Sequence, residues 1–356
     1  AGHTGDISLL GSGAGNLYGS KLDFAAAARG ARLSFNGAVT THDRYRSAAF
    51  NGHAKFSGIN LGEITGVKDL GELAGTLDGS GNVAPGRISA SGEVAVASLE
   101  FKEHTFSDIT ARGSYDNSTS TVNLTLDSDD PAAILALNVD INPKGEYKTL
   151  QLDGTVESLD LAALGIKGKS NHRLCASIDA DFGGRNIDDA EGVLEISDIA
   201  YTDSVGKGLH IKRFSFDIDR SGSKDIITVE SDILNGTIEG RIAPSSLAST
   251  VMAFAADIAP AAITTEPKRG GADNSFVADF TLANAEDFSR FFNLPVQIIY
   301  PIDITASLDG PDGLATFCLD AAYLQQGDKI IDSTVITATV YTPDSRATLV
   351  ATHHRR

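Results

Sequence analysis

The 356-residue chain reads as an all-β protein: a long antiparallel meander rolled into an open β-trough, with one or two short helices. Three observations predict this. Apolar and polar residues alternate with period two in segment after segment, as a strand with one apolar and one wet face requires. Short stretches rich in Gly, Asp, Asn and Pro separate those segments, and connections that short favour antiparallel neighbours. Helical text is scarce. The 36 glycines, the absence of tryptophan and the single methionine, Met252, suit strands and turns.

The alternation runs the length of the chain. Ala31, Leu33 and Phe35 alternate with Arg32, Ser34 and Asn36. Ile88, Ala90, Gly92, Val94 and Val96 alternate with Ser89, Ser91, Glu93, Ala95 and Ala97. The same rhythm carries Ile109-Ala111-Gly113-Tyr115, Val122-Leu124-Leu126, Leu135-Leu137-Val139-Ile141 and Leu150-Leu152-Gly154-Val156. It continues through Leu174-Ala176-Ile178-Ala180-Phe182, Phe214-Phe216-Ile218, Phe276-Ala278-Phe280-Leu282, Ile302-Ile304-Ala306-Leu308 and Val335-Thr337-Thr339-Tyr341. Roughly 18 strands are expected.

Turns are expected at Asp78-Gly79-Ser80-Gly81-Asn82, Asn142-Pro143-Lys144-Gly145, Asp219-Arg220-Ser221-Gly222 and Asp309-Gly310-Pro311-Asp312-Gly313. Gly11-Ser12-Gly13-Ala14-Gly15 also reads as a glycine-rich turn. A helix is expected over 245–263, behind Pro244, and a shorter one over 285–293. Asp160-Leu161-Ala162-Ala163-Leu164 suits a single helical turn. Leu-Asp-Gly recurs at 77–79, 152–154 and 308–310 at unequal spacing, which fits a loose repeating meander better than a strict solenoid. Three trough segments are expected, 1–72, 73–262 ending in the longer helix, and 263–356, run together as one repeat array. The chain begins and ends in strand-like text with neither an initiator methionine nor a signal peptide, so it is expected to be a piece of a longer protein.

Composition excludes several classes. Forty-seven acidic against 29 basic side chains give a net charge of −18, which opposes nucleic-acid binding and adhesion to anionic lipid surfaces. A hydrophobic share of 42% with 21% charged residues describes neither a disordered chain nor a membrane bundle. No apolar run reaches the roughly 20 residues of a membrane-spanning helix; the longest candidate, 251–263, contains Asp257 and Pro260. Cys175 and Cys318 have no metal-ligand spacing and form no disulfide-dense scaffold, though one long-range bridge stays open.

The short motifs dissolve on inspection. The segment from Gly11 to Gly19 lacks the third glycine of a dinucleotide loop, where Asn16 or Tyr18 stands. Lys167-Gly168-Lys169-Ser170 resembles the end of a phosphate loop, but Ala163 replaces its first glycine and a strand follows where a helix is needed. Asp217-Ile218-Asp219-Arg220-Ser221-Gly222 opens like a calcium loop, and Asp225 holds the ninth position. Thr228, however, stands where the bidentate glutamate belongs, so a hairpin turn is expected. Asn117, Asn123 and Asn235 begin glycosylation sequons inside ordinary turn and strand text. His3, His42, His53, His104, His172 and His210 are scattered, and no serine occupies a strand–elbow–helix context. No catalytic residue, metal or cofactor is expected, and the chain is not read as an enzyme. A glycan-cleaving β enzyme would use tryptophan and tyrosine platforms, and tryptophan is missing.

An apolar face on every strand needs a cover: a second sheet, its own curl, or an apolar ligand. At about 25 cal/mol per Å2, leaving it wet is costly, so a curled sheet with a greasy interior is expected. The lining set is Val94, Val96, Leu124, Leu126, Leu135, Leu137, Val139, Leu152, Ile178, Phe182, Phe214, Phe216, Phe276, Phe280, Ile302 and Ile304, each also suited to plain core packing.

Residues 94–165 carry a family signal. Val94-Ala95-Val96-Ala97-Ser98-Leu99-Glu100-Phe101 leads to Phe106-Ser107-Asp108-Ile109 and Ala111-Arg112-Gly113-Ser114-Tyr115. Leu124-Thr125-Leu126-Asp127-Ser128-Asp129-Asp130-Pro131, Val139-Asp140-Ile141 and Val156-Glu157-Ser158-Leu159-Asp160-Leu161 follow. This succession resembles the TamB-like branch of the AsmA superfamily (translocation and assembly module), in its Bacteroidetes form. Gly183-Gly184-Arg185-Asn186-Ile187 and Ser231-Asp232-Ile233-Leu234-Asn235-Gly236 are similar to that branch too, so the likeness spans about residues 90–300. It rests on the order of motifs, none of which is specific alone.

The resemblance implies a β-groove of the bridge-like lipid transfer type, carrying phospholipid acyl chains across the periplasm of a Gram-negative bacterium. It implies an inner-membrane anchor and an outer-membrane end beyond this segment, a TamA-type barrel as partner, and a link to outer-membrane protein assembly. The alternative is a structural or adhesive β-solenoid of a secreted surface protein.

Overall fold

A computed structural model describes residues 7–16, 18–42, 44, 46–166, 171–206, 208–247, 249, 274–283, 297–298, 300–326, 329–341 and 346–354. Among the described residues twenty-two strands stand against a few short helical turns, so the all-β antiparallel expectation holds. The strands fall into two compact units, residues 1–179 with 200–208, and residues 180–199 with 209–356.

The first unit is a meander in chain order: β1 (Ile7–Asn16), β2 (Gly19–Ala28), β3 (Ala31–His42), β4 (Ser47–Asn60), β5 (Leu70–Ala84) and β6 (Arg87–Phe101). It continues through the short β7 (His104–Phe106), β8 (Ile109–Asp116), β9 (Thr121–Asp130), β10 (Ala133–Asn142) and β11 (Lys148–Asp160). Each strand pairs antiparallel with its chain neighbour, except that β6 takes both β7 and β8 along its length. A five-residue helix, α1 (Leu61–Thr65), joins β4 to β5. The Asn60 side chain caps its first turn by accepting from the Glu63 amide, and Gly66 ends it in the left-handed region. The alternation pattern gives no warning of this helix, although its two caps are visible in the sequence.

Residues of β12 (Arg173–Gly184) and β13 (Glu191–Thr202) fall in both units. The second unit continues with β14 (Gly208–Asp219), β15 (Asp225–Ser231), β16 (Leu234–Arg241), β17 (Ser275–Leu282) and β18 (Gln297–Ile298). It ends with β19 (Ile302–Asp309), β20 (Leu314–Gln326), β21 (Lys329–Tyr341) and β22 (Arg346–His354). Pairing again follows the chain, with β19 beside β17 and β18 beside β20. Among the described residues β1 pairs only with β2 and β22 only with β21, so neither meander closes into a barrel.

Two expected turns are strand instead. Gly11 to Gly15 lies inside β1, and Asp78 to Asn82 inside β5. Gly11 and Gly81 meet close neighbours rather than turn the chain: a Cβ at Gly11 would fall 2.7 Å from the Phe24 Cβ, and at Gly81 it would strike the Phe50 ring. The expected turns at 142–145, 219–222 and 309–313 all connect strands. The joint expected at 72/73 falls within β5, and that at 262/263 lies outside the described residues, as do the helix over 285–293 and the Lys167–Ser170 motif. Of the helix expected over 245–263, residues 245–247 and 249 are helical and the rest lies outside the described residues.

The core is local. In the first unit Phe106, Ala132, Ala133 and Ala163 cluster beside Leu99, Ile109 and Leu135. Asp130 is buried at this end of the sheet, where its carboxylate accepts from the amides of Ser107 and Ala132 and lies 3.5 Å from His104 Nε2. Burial opposes its ionisation, but those two amides and His104 outweigh the burial and hold its pKa below the ordinary value. In the second unit, Ile218, Ile227, Val229 and Ile242 form one cluster and Ile233, Leu282, Ile298, Ile302 and Ala321 another.

Candidate functional site

Strand register decides which side chains share a face, because directly opposed residues of antiparallel strands point the same way. From β5 the first unit's apolar face runs Leu77–Val94–Ala111–Leu126–Leu137–Gly154, one residue per strand. The flanking rows are Gly75–Val96–Ile109 and, from β9, Leu124–Val139–Leu152. Towards β1 the same face carries Ala54, Phe35, Phe24 and Gly11. Eight residues of the expected lining, Val94, Val96, Leu124, Leu126, Leu135, Leu137, Val139 and Leu152, therefore lie on one face of one sheet. Seven are half-buried and Leu124 is exposed. Leu77, Phe50, Val83 and Ile88 on the same face are exposed as well.

A row of five glycines crosses this face. Gly37, Gly52, Gly79, Gly92 and Gly113 are successive cross-strand partners on β3, β4, β5, β6 and β8. Phe35 folds its ring over the first two, and a Cβ added to either would lie 2.5 Å from that ring. At Gly79 and Gly113 nothing would lie closer than 3.6 Å, so the row is open there. No local sequence pattern marks this row, since glycine-to-glycine alignment emerges only once the strands are in register.

The remaining residues of the expected set sit differently. Phe182, Phe214, Phe216, Phe276 and Phe280 pack around the Ile218 cluster. Ile302 is a buried member of the other cluster, and Ile304 packs on it. Phe280 lies opposite both Gly236 and Ile304. Ile178 is half-buried on β12.

The opposite face of the first unit is a polar ladder: Asp23, Asn36, His53, Asp78, Glu93, Arg112, Thr125, Asn138 and Asp153 follow one another strand by strand. Its members pair among themselves. Asn36 donates to Asp23, His53 Nδ1 lies 2.9 Å from Asp78, and Arg112 reaches Glu93 and Asp127 at 2.9 and 3.0 Å. A recess of about 960 Å3 opens on this side, lined by the middle of that row from Asn36 to Thr125, by Asn51, Ser80, Ser91 and Ser114, and by the glycine row.

The other candidate motifs are structural. In the 217–222 segment Asp219 caps its own turn through the Ser221 amide. Arg220 bonds Asp225 at 2.7 Å and donates to the carbonyls of Ala190 and Ile242, which occupies the carboxylate a calcium loop would need. The sequon residue Asn117 ties two hairpins together by bonding the backbone of Gly86 and Ile88. Asn123 donates to Asp140, and Asn235 accepts from the Ser231 amide. Cys175 and Cys318 are free thiols. Among the described residues no group of three His, Cys, Asp or Glu could hold a metal, and no helix is long and apolar enough to cross a membrane.

Fold and faces thus define an open antiparallel β-meander whose first unit has one apolar and one self-paired polar surface. No family model, no curated protein and no solved structure matches the chain.

Proposed function

We propose that this chain is a lipid transfer segment whose first unit shields phospholipid acyl chains along its apolar face, between the inner and outer membranes of a Gram-negative cell. One observation carries the reading: the register-aligned apolar face crosses ten strands and keeps large side chains exposed along it. At about 4.8 Å per strand that face extends about 43 Å, longer than the roughly 15 Å that one leaflet contributes to a 30 Å bilayer core. An acyl chain needs only such a strip, each buried methylene contributing about 0.8 kcal/mol. Transfer along it requires no catalytic group. The polar ladder keeps the other surface wet. The likeness to TamB-like proteins supports the periplasmic setting, the membrane contacts through regions outside this segment, and a TamA-type barrel as partner. A β-solenoid stacks parallel rungs, whereas every strand pair described above is antiparallel, which favours the groove.

Mass spectrometry of lipids extracted from the purified, folded chain tests the proposal. Phospholipids should co-purify, and Leu126→Asp should abolish their retention while leaving the strand content unchanged. A lipid-free extract from well-folded wild-type protein refutes it.

A further inference from the structure

We infer that three glycines of the first unit, Gly79, Gly92 and Gly113, floor a slot for a single acyl chain, and that Phe35 and Leu124 stop its two ends. The inference rests on the lipid reading of the apolar face and adds to it where one chain sits and what fixes its length.

The glycine row needs a cause, because glycine weakens a strand interior and normally serves a left-handed backbone, a bulge, a barrel corner or a close approach. The first three do not apply. None of the five glycines has positive φ, the pairing carries no register shift at any of them, and the meander does not close into a barrel. Close approach accounts for part of the row. A Cβ at Gly37 or Gly52 would fall 2.5 Å from the Phe35 ring, and one at Gly92 would fall 2.9 Å from the Asp78 carbonyl oxygen. Gly79 and Gly113 have no such neighbour among the described residues. The nearest atoms are the carbonyl oxygens of Ser91 and Asn123, at 3.7 and 3.6 Å, which is ordinary contact. Here the apolar face is open over bare backbone, and a bound chain is the close approach that remains.

This open stretch has walls and ends. Leu77, Val94 and Ala111 flank it on one side, and Ala90 and Tyr115 on the other. The two walls stand four residues apart along each strand, about 13 Å between backbones, which leaves the width of one hydrocarbon chain once their side chains are in place. At one end the Phe35 ring lies over Gly52; at the other, Leu124 opposes Gly113 and begins the run Leu124–Val139–Leu152. Three strands at about 4.8 Å make the slot about 14 Å long, close to the roughly 15 Å that an acyl chain spans in one leaflet.

The test loads the delipidated 356-residue chain from mixed vesicles of dilauroyl-, dimyristoyl- and dipalmitoyl-phosphatidylcholine and reads the retained species by mass spectrometry. Gly79→Leu and Gly113→Leu fill the slot from positions where a Cβ meets only ordinary contacts. Each should keep the wild-type circular dichroism spectrum and lose the retained phospholipid. Ser91→Leu, on the polar face, should lose none. Phe35→Ala uncovers Gly52 and Gly37 and lengthens the slot by two strands, so its retained lipid should shift towards the dipalmitoyl species; Phe35→Leu should shift it the same way by less. The chain has no tryptophan, so Phe35→Trp supplies a lone indole, which phosphatidylcholine with brominated acyl chains should quench, whereas Ser91→Trp should stay bright. A wild-type chain that takes up no phospholipid defeats the lipid reading and the slot with it. Wild-type uptake matched by both glycine variants overturns the slot alone. A Phe35→Ala profile identical to wild type overturns Phe35 as its stop.

Discussion

The two units carry the same kind of apolar face and bury it to very different extents. In the first unit Leu124 remains 39% exposed and Leu77 and Phe50 on the same face are comparably open; in the second, Ile227 is 3% exposed inside a cluster of isoleucines and phenylalanines. Alternation is equally regular in both. Period-two patterning therefore identifies a face but not its cover. What differs is local. The first unit has a glycine row where the second has Phe214, Phe216, Phe276 and Phe280. The second unit also ties its ends down through the Arg220–Asp225 pair and through the fully buried Asn274, which accepts from the Ala243 amide and donates to Ser246.

Truncation probes this contrast most strongly. Ile227→Ala should cost about 2–5 kcal/mol, as removal of a packed core side chain does. Leu124→Ala, already half in water, should cost roughly 1 kcal/mol or less. Urea unfolding of each variant measures both, and equal losses would mean that the first unit's face is a closed core. A smaller effect is expected in the glycine row. Gly37→Ala drives a methyl into the Phe35 ring and the Asn51 carbonyl, for about 1–3 kcal/mol. Gly113→Ala meets nothing closer than 3.6 Å and should change thermal stability little, so a large loss at Gly113 would show that the row is covered.

The smallest expected effect concerns acid. The folded-state pKa of Asp130 is depressed, so its contribution is present above the ordinary carboxylate pKa of about 4 and lost as pH falls through the folded value. Unfolding of the first unit should therefore become easier below about pH 4, and Asp130→Asn should flatten that dependence. An unchanged acid limb in the variant would locate the sensitivity elsewhere.

Much of the fold was legible in the residues. Alternation at 122–126, 135–141 and 150–156 marked strands that exist, and the Asn142-Pro143 and Asp309-Gly310 turns connect strands as expected. The expected lining residues from Val94 to Leu152 share a face because side-chain direction repeats every two residues whatever the partner. Glycine misled. Gly11 to Gly15 and Gly79 to Gly81 look like turns in one dimension, yet in register Gly11 gives room to Phe24 and Gly81 to Phe50. The capped helix α1 was equally hidden, because five residues carry too little periodicity to register.

Alone, then, the sequence determined the strands, their order and the chemistry of each surface, since these follow from local periodicity and turn chemistry. Only the tertiary structure decided which phenylalanine covers which glycine, and which apolar faces are packed and which stay open. Those outcomes depend on cross-strand register and on contacts between residues far apart in the chain, which no local pattern encodes.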